Sequence, residues 1–468
     1  MMSVLENGTV KGVPEVQGKH VLVYSMGMEG RDLAKWLLNQ GASVVMSDTR
    51  SDALLEAAGA TAPDGVESTV TGEGLLDPSG FDLVAVSQSV LRHDPALGRA
   101  RELGVPITSQ MRLFLQLVKG KVIGITGSSG KSTTTALVAA MAAEAGVESV
   151  VGGNIGEALL SRVDEITDST TVILEISHTQ LQYTDRSPHI AAVTNVTPNH
   201  LDQFNWDEYV GLKRNILSLQ HREDIAVMNN DDPHSRALVA SVKGKLWRTS
   251  LTGEIDGLGA WVEHETIVVR AGRRGEEVMP AANIRLRGRH NLANVVMACA
   301  IAGAAGWPIE AMRAAAQAFR GVPHRLEVAG RAGGVTWIND SIATSPERTI
   351  AGLRAFTEPV VLLLGGREKN LPLDTLQQLA RERCRALVCF GEAGPFFHDA
   401  MQGVVATNRL VPALDDAVHA AAKLSQPGDV VLLSPAGTSF DAYPSFEARG
   451  ARFRELVRAL PGFQEVPS

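Results

Sequence analysis

Short apolar runs rich in Val, Ile and Leu alternate with Ala-rich stretches of helical period from one end of the chain to the other. Runs of five or six such residues, each followed by glycine or a polar turn, predict strands, and the stretches between them predict the crossover helices of parallel βα units. In the first series, strands are predicted at His20–Ser25, Ala42–Asp48 and Leu83–Ser87, with a helix over Gly30–Gln40 stopped by Gly41. A second series opens with a strand at Lys121–Thr126, a Gly-rich turn, and a helix over Ser132–Ala145 closed by Gly146. Strands Thr171–Ile176 and Ala191–Val196 follow, then a stretch over 244–277 whose Val, Ile, Trp and Gly content predicts a β-rich insert, then a helix from about Asn291. The third series places strands at Val335–Asn339, Val360–Leu364, Ala386–Phe390 and Val430–Ser434. Every domain is therefore expected to be α/β. A chain of 468 residues is also about three times the usual domain size of roughly 150. The expected layout is a Rossmann-like N-terminal domain over 1–110, a central P-loop ATPase-type domain with the β-rich insert over 111–322, and a C-terminal Rossmann-like domain over 323–468.

Composition narrows the function classes. With 44% hydrophobic and 21% charged residues, the chain can bury sizeable cores and has no bias toward long disorder. The uncharged stretch Val295–Trp307 is too short for a bilayer span and ends at Pro308, so it predicts a buried helix. Glu6 and Glu15 interrupt the N-terminal region, which lacks the apolar core of a secretory signal; a cytoplasmic protein is expected. Cys299, Cys384 and Cys389 form no CxxC pair, which argues for buried structural thiols over a disulfide framework or thiolate metal site. A formal charge of −8 with no Lys/Arg block excludes a nucleic-acid track, so any phosphate site must be local.

The sharpest local signal is Gly127-Ser128-Ser129-Gly130-Lys131-Ser132, directly after a predicted strand and opening a helix. Such a turn aims backbone N–H groups at phosphate oxygens, the helix N-terminus adds positive potential, Lys131 supplies a cation and Ser132 a hydroxyl for Mg²⁺. Ile125 stands where the eight-residue form has glycine, so the shorter G-[ST]-x-G-K-[ST] form is the one that fits. The turn Ser25-Met26-Gly27-Met28-Glu29-Gly30, with Asp48 at the next strand end, suggests a dinucleotide-type fold in which serine replaces the first glycine. It is equally compatible with tight helix-on-strand packing and with a nucleotide or diphosphate ligand. Glu175 at a strand end can serve a phosphate-loop Mg²⁺ as a hard oxygen ligand. Taken alone, His200 and Lys213 read as an ordinary loop histidine and a solvated helix lysine.

In order along the chain, GSSGKS at 127–132, Gly153-Asn154-Ile155-Gly156, Glu175, the run from Thr194 to His200 and Asp202, and Tyr209 to Lys213 resemble the Mur ligase family. Asn229-Asn230-Asp231-Asp232, Gly288 to Asn294, Pro323-His324-Arg325 with Glu327, and Asn339-Asp340-Ser341 extend the resemblance over nearly the whole chain. Leu364-Gly365-Gly366 with Lys369, and Ser434 through Ser439 to Phe446-Glu447, are most similar to the branch that adds D-glutamate. The resemblance implies an ATP-dependent ligase of peptidoglycan synthesis that joins UDP-N-acetylmuramoyl-L-alanine to D-glutamate through an acyl phosphate. A monomer is expected, and charge and hydropathy predict no nucleic-acid partner and no membrane span.

The family positions imply these roles. Lys131 would hold phosphates with Gly127, Ser128, Ser129, Gly130 and Ser132. Asn291, Asn294, His324, Arg325 and Asp340 would contact the rest of ATP. Ser132 and Glu175 would bind one Mg²⁺, and His200 with Lys213 a second, Lys213 being carbamylated; His200 is alternatively the acceptor of the amine proton. The catalytic residues implied are thus Lys131, His200 and Lys213. Met28, Glu29, Thr49, Arg50, Asn154 and His200 would contact the UDP substrate, and Thr344, Lys369, Ser439 and Phe446 D-glutamate. The sequence departs from the family pattern at Ser87-Gln88-Ser89, where S-P-G is usual, at His178-Thr179 in place of serine and phenylalanine, and at Ile342 in place of lysine. Three alternatives are a folyl-polyglutamate synthetase-like ligase of the same fold, a P-loop ATPase without ligase chemistry, and a nicotinamide dehydrogenase. The first leaves the N-terminal domain unexplained, and the last lacks an intact glycine fingerprint.

Overall fold

The computed structural model describes residues 12–465 apart from 58, 73, 200, 202, 287, 369 and 370. Among these residues the predicted strands fall into three sheets. The first is wholly parallel, in the order β3-β2-β1-β4-β5. Its strands are β1 His20–Tyr24, β2 Ser43–Asp48, β3 Ser68–Thr71, β4 Leu83–Val86 and β5 Ile107–Ser109. β1 and β4 are buried on both faces, as helix-covered parallel strands must be, and that explains their unbroken apolar runs.

The second sheet contains β6 Lys121–Thr126, β7 Ser149–Gly153, β8 Thr171–Glu175, β9 Ile190–Val193, β10 Ile225–Asn229, β11 Lys245–Ser250, β12 Leu258–Glu263, β13 Thr266–Arg270 and β14 Glu276–Pro280. Its order is β14-β13-β12-β11-β10-β9-β6-β8-β7. The β-rich stretch over 244–277 continues this sheet: β11 and β12 pair in parallel, and β13 and β14 turn back antiparallel at the edge. The helix Arg289–Ala304 is buried without interruption from Asn294 to Gly303, a stretch with no charged residue. It packs with the helix Lys131–Glu144 over this sheet in one apolar cluster. Each fully buried aliphatic side chain there stabilises the fold by about 1.5–3 kcal/mol.

The third sheet holds β15 Glu327–Ala332, β16 Val335–Asn339, β17 Val360–Gly365, β18 Cys384–Phe390, β19 Asn408–Leu410 and β20 Val430–Ala436, in the order β15-β16-β20-β17-β18-β19. Only β15 is antiparallel, and an apolar cluster covers each face. The first two sheets share one compact unit and the third lies in another, the main division falling between Phe319 and Arg320. All three cysteines are free, with burial raising each thiol pKa to about 12. No helix among the described residues is long and apolar enough to cross a membrane.

Predicted boundaries hold to within a few residues where strands are apolar throughout. The sequence does not predict β3, β5, β7, β15 and β19, each short, polar or half-exposed and drawing its pairing from neighbours already in place, nor β10, a short buried run that it leaves unassigned.

Candidate active site

Two strand ends build the site of the first unit. β6 runs straight into the turn 127–130, from which the helix Lys131–Glu144 departs. Beside it, β8 pairs Glu175 with Ile125, which brings a carboxylate to the same end of the sheet as the turn. Gly130 has φ +81°, and a Cβ there would collide with Asn294 Oδ1, so the turn closes only with glycine at this point. The turn is locked from behind. Asn195 Oδ1 accepts the Ser129 N–H at 3.0 Å, Asn195 Nδ2 donates to the Ser129 carbonyl at 3.0 Å, and the Thr194 hydroxyl donates to the same carbonyl at 2.6 Å. Lys131 Nζ folds over the turn and donates to the Gly127 carbonyl at 3.0 Å.

Glu175 is 2% exposed. Its Oε1 accepts from Asn154 Nδ2 at 2.7 Å, while its buried Oε2 has no hydrogen-bond partner among the described residues. A buried carboxylate oxygen left unpaired is costly, and a hard cation is a partner that satisfies it. Together with the Ser132 hydroxyl at the helix start, this donor set fits Mg²⁺. Among the described residues no cluster of three or more His, Cys, Asp and Glu side chains forms a site for a metal by itself. Mg²⁺ that keeps waters and takes phosphate oxygens needs no such cluster.

Lys213 is the departure from its bland sequence reading. On the helix Trp206–Ser218 it is 1% exposed, and its Nζ lies 4.7 Å from the centroid of the Tyr209 ring. No carboxylate among the described residues pairs with it. Burial, helped by the Lys131 cation nearby, pushes its pKa well below the ordinary lysine value. Tyr209 joins the two halves of the site, because its hydroxyl lies 2.9 Å from Ser128 Oγ. His178 packs its ring against Tyr209 and Phe204 with centroids 5.3 and 5.5 Å away, so the change from serine at this position fills an aromatic cluster. His200 lies outside the described residues.

The remaining expected positions in this unit divide. Asn294 is buried behind the turn and donates to Asn291 Oδ1 at 3.2 Å. At the carboxyl ends of β1 and β2, Met28 and Thr49 are exposed, and Arg50 makes a two-pronged pair with Asp48 at 2.9 and 2.7 Å. Ser25, standing where a dinucleotide turn has its first glycine, adopts φ +88° regardless, and a Cβ at Gly30 would strike the Ser25 carbonyl. The close approach of helix to strand therefore requires glycine at position 30. Glu29 is buried, its carboxylate oxygens accepting from the Gln88 N–H and the Gln180 amide.

In the second unit, His324, Asp340, Thr344, Ser439 and Phe446 gather about the ends of β16 and β20. Asn339 Nδ2 lies 3.0 Å from His324 Nδ1, Ser434 Oγ donates to Asp340 Oδ2 at 2.9 Å, and the Phe446 ring is 6.2 Å from that of His324. Arg325 is half-buried beside them, and Lys369 lies outside the described residues. Sequence reasoning missed Arg449, which is fully buried and donates to Ser341 Oγ and the carbonyls of Ser341, Gly437 and Thr438 at 2.9–3.2 Å. Its signal was weak: one arginine in a charged helix.

Burial raises the Asp340 pKa to about 7, well above the ordinary carboxylate value of 3.8. The folded state therefore holds a proton that the unfolded chain has released, and stability contributed by Asp340 is full below about pH 4 and lost as pH rises through about 7. Asp340→Asn removes this dependence while keeping a side chain that pairs with Leu326 N–H and Ser434. The Tm of this variant is expected to rise relative to the unmodified protein between pH 5 and pH 7.5, and a constant difference across that range argues against it.

A glycine turn with its lysine, a helix N-terminus and an adjoining buried strand-end carboxylate define a nucleotide-binding α/β protein of the phosphate-loop class. The Mur ligase middle domain matches residues 125–302, and the Mur ligase glutamate ligase domain matches residues 324–437. The chain is 39% identical over 444 residues to the UDP-N-acetylmuramoylalanine–D-glutamate ligase of Symbiobacterium thermophilum, covering 94% of this chain and 97% of that one. It is 37% identical to the enzyme of the same name from Clostridium novyi over 95% and 98% of the two chains. Among solved structures, UDP-N-acetylmuramate-alanine ligase from Thermotoga maritima shares the fold with a TM-score of 0.57 at 18% identity, over 93% and 98% of the chains. The chain belongs to the Mur ligase family.

Proposed function

We propose that this chain is an ATP-dependent amide ligase that joins D-glutamate to UDP-N-acetylmuramoyl-L-alanine, giving the dipeptide product, ADP and phosphate. The observation that carries it is the convergence of the phosphate turn, Lys131, Glu175 and a buried Lys213 in one unit, in a chain so alike the D-glutamate ligases. The acceptor's carboxylate is a poor electrophile. Its oxygen bonds to the γ-phosphorus of ATP as the bond from that phosphorus to the ADP oxygen breaks, giving an acyl phosphate. The D-glutamate amine then attacks the carbonyl carbon, loses a proton to a base, and the C–O bond to phosphate breaks. Two anions must meet first, so charge neutralisation and alignment dominate. Lys131 and the N–H groups at the start of its helix would supply part of that neutralisation.

Ser132 and Glu175 would hold one Mg²⁺ and His200 with a carbamylated Lys213 a second, adding the positive charge that the approach of the two anions requires. Asn291, Asn294, His324, Arg325 and Asp340 are assigned to ATP; Met28, Thr49, Arg50, Asn154 and His200 to the UDP substrate; Thr344, Lys369, Ser439 and Phe446 to D-glutamate. The boundaries near 110 and 322 assign UDP-substrate, ATP and amino-acid binding to successive domains of a cytoplasmic monomer. The test is phosphate release from ATP, expected only when UDP-N-acetylmuramoyl-L-alanine and D-glutamate are both present. Equal turnover without the amino acid rejects ligation.

A further inference from the structure

Two buried carboxylates on one face of the first unit's opening helix are used by none of the chemistry above. Glu29 and Asp32 lie three residues apart on the helix Met28–Asn39, so they project from the same side. Asp32 accepts from the backbone N–H groups of Leu160 and Ser161 at 2.9 and 3.0 Å and from Gln110 Nε2 at 2.9 Å, capping the short 3₁₀ turn Leu160–Glu165. Glu29 Oε2 accepts the Gln88 N–H at 2.7 Å, and Glu29 Oε1 accepts from Gln180 Nε2.

The Glu29 contacts form part of a closed network. Gln180 Oε1 accepts the Ser177 N–H at 2.8 Å, Ser177 Oγ donates to Gln88 Oε1 at 2.8 Å and accepts the Gln180 N–H at 3.0 Å. Ser177 stands two residues after Glu175 on the same strand end. The network thus runs from the first sheet's helix, through the turn after β4, to the segment that presents Glu175.

Gln88 occupies the position where the family pattern has proline. It is the second residue of a turn closed by the Val90 N–H on the Ser87 carbonyl at 3.3 Å, a place where proline fits the backbone well. Proline there would, however, have no N–H to offer, and one oxygen of a buried carboxylate would lose its donor. Glu29 therefore requires a residue other than proline at 88.

We propose that Glu29 and Gln88 are a matched positioning pair that registers the substrate-binding first sheet against the Glu175 strand end, and so sets the affinity for the UDP-linked acceptor. This deepens the ligase reading above and rests on it. Neither residue touches the reacting atoms. Their effect is carried by Gln180 and Ser177.

The experiment is a double-mutant cycle of Glu29→Ser and Gln88→Pro, with Gln88→Ala as the variant that keeps the N–H. KM for UDP-N-acetylmuramoyl-L-alanine, KM for ATP, kcat and Tm are measured for each. In the unmodified background Gln88→Pro is expected to raise the acceptor KM roughly tenfold, the scale of leaving a buried polar acceptor without its donor. The ATP KM should move less than about twofold, within the spread of non-interacting sites. With Ser at 29 there is no carboxylate to strand, so the same proline substitution should change the acceptor KM by less than about threefold. Gln88→Ala should fall between the two. Equal proline effects in both backgrounds, or an ATP KM that shifts as far as the acceptor KM, overturns the pair.

D-glutamate-dependent turnover of the unmodified protein is measured first, so failure of the ligase reading is seen separately. In that event the Tm cycle and acceptor binding by calorimetry still read the pair, and additive Tm changes or uncoupled acceptor affinities reject it.

Discussion

Lys213→Ala is expected to lower D-glutamate-dependent phosphate release by on the order of 10²–10³-fold, the loss typical of removing one preorganised electrostatic group. Its warrant is physical. An ammonium 1% exposed, over a tyrosine ring and near another cation, is disfavoured in its charged form, and its pKa falls accordingly. A neutral amine is the form that adds CO₂, releasing a proton and becoming a carbamate. Carbamylation would thus replace the repelled cation with an anion that has oxygen ligands to offer. Added formate or acetate should restore part of the activity of the alanine variant by occupying the vacated space. Lys213→Arg should be as inactive as the alanine variant, because a guanidinium stays charged and forms no such carbamate. An alanine variant with normal turnover eliminates the role.

Arg449→Met should produce the largest loss of stability. The guanidinium is fully buried, and burial lowers its pKa to about 10, which still leaves it protonated at neutral pH. It is held by three carbonyls and a hydroxyl from two separate loops. Removing it leaves those acceptors buried without donors, at a cost of about 3 kcal/mol or more. For a unit of this size that corresponds to a fall in Tm of roughly 6–12 °C. Ser341 Oγ, which receives Arg449 Nε, donates in turn to the Phe446 carbonyl at 2.8 Å, so the KM for D-glutamate should rise as well. Arg449→Lys should recover only part of either effect, since one ammonium cannot span both loops. An unchanged Tm together with an unchanged D-glutamate KM removes Arg449 from this role.

The sequence disclosed the elements that local rules decide. β6 and β16 fall on their predicted spans because an apolar run bounded by turn residues has few alternatives. The phosphate turn was legible for a similar reason, since strand, glycines, lysine and helix follow one another without a break. Lys213 was different. Its chemistry was expected only through the family resemblance, and nothing in the spacing Tyr209 to Lys213 distinguishes a buried lysine from a solvated one. Thr194 and Asn195 belonged to a recognisable motif, yet their part as the brace behind Ser129 emerges only when β9 is paired beside β6.

By itself the chain order thus determined the α/β class, the three series of strands and the place of the phosphate turn, because hydrophobic period and backbone conformation are set by neighbours a few residues away. The tertiary structure alone decided that Lys213 is desolvated, that Glu29 accepts from Gln88 and Gln180, and that Arg449 clamps two loops about a hundred residues apart in sequence. Those outcomes depend on solvent exclusion and on donors brought from distant segments, and a linear pattern of residue types carries neither.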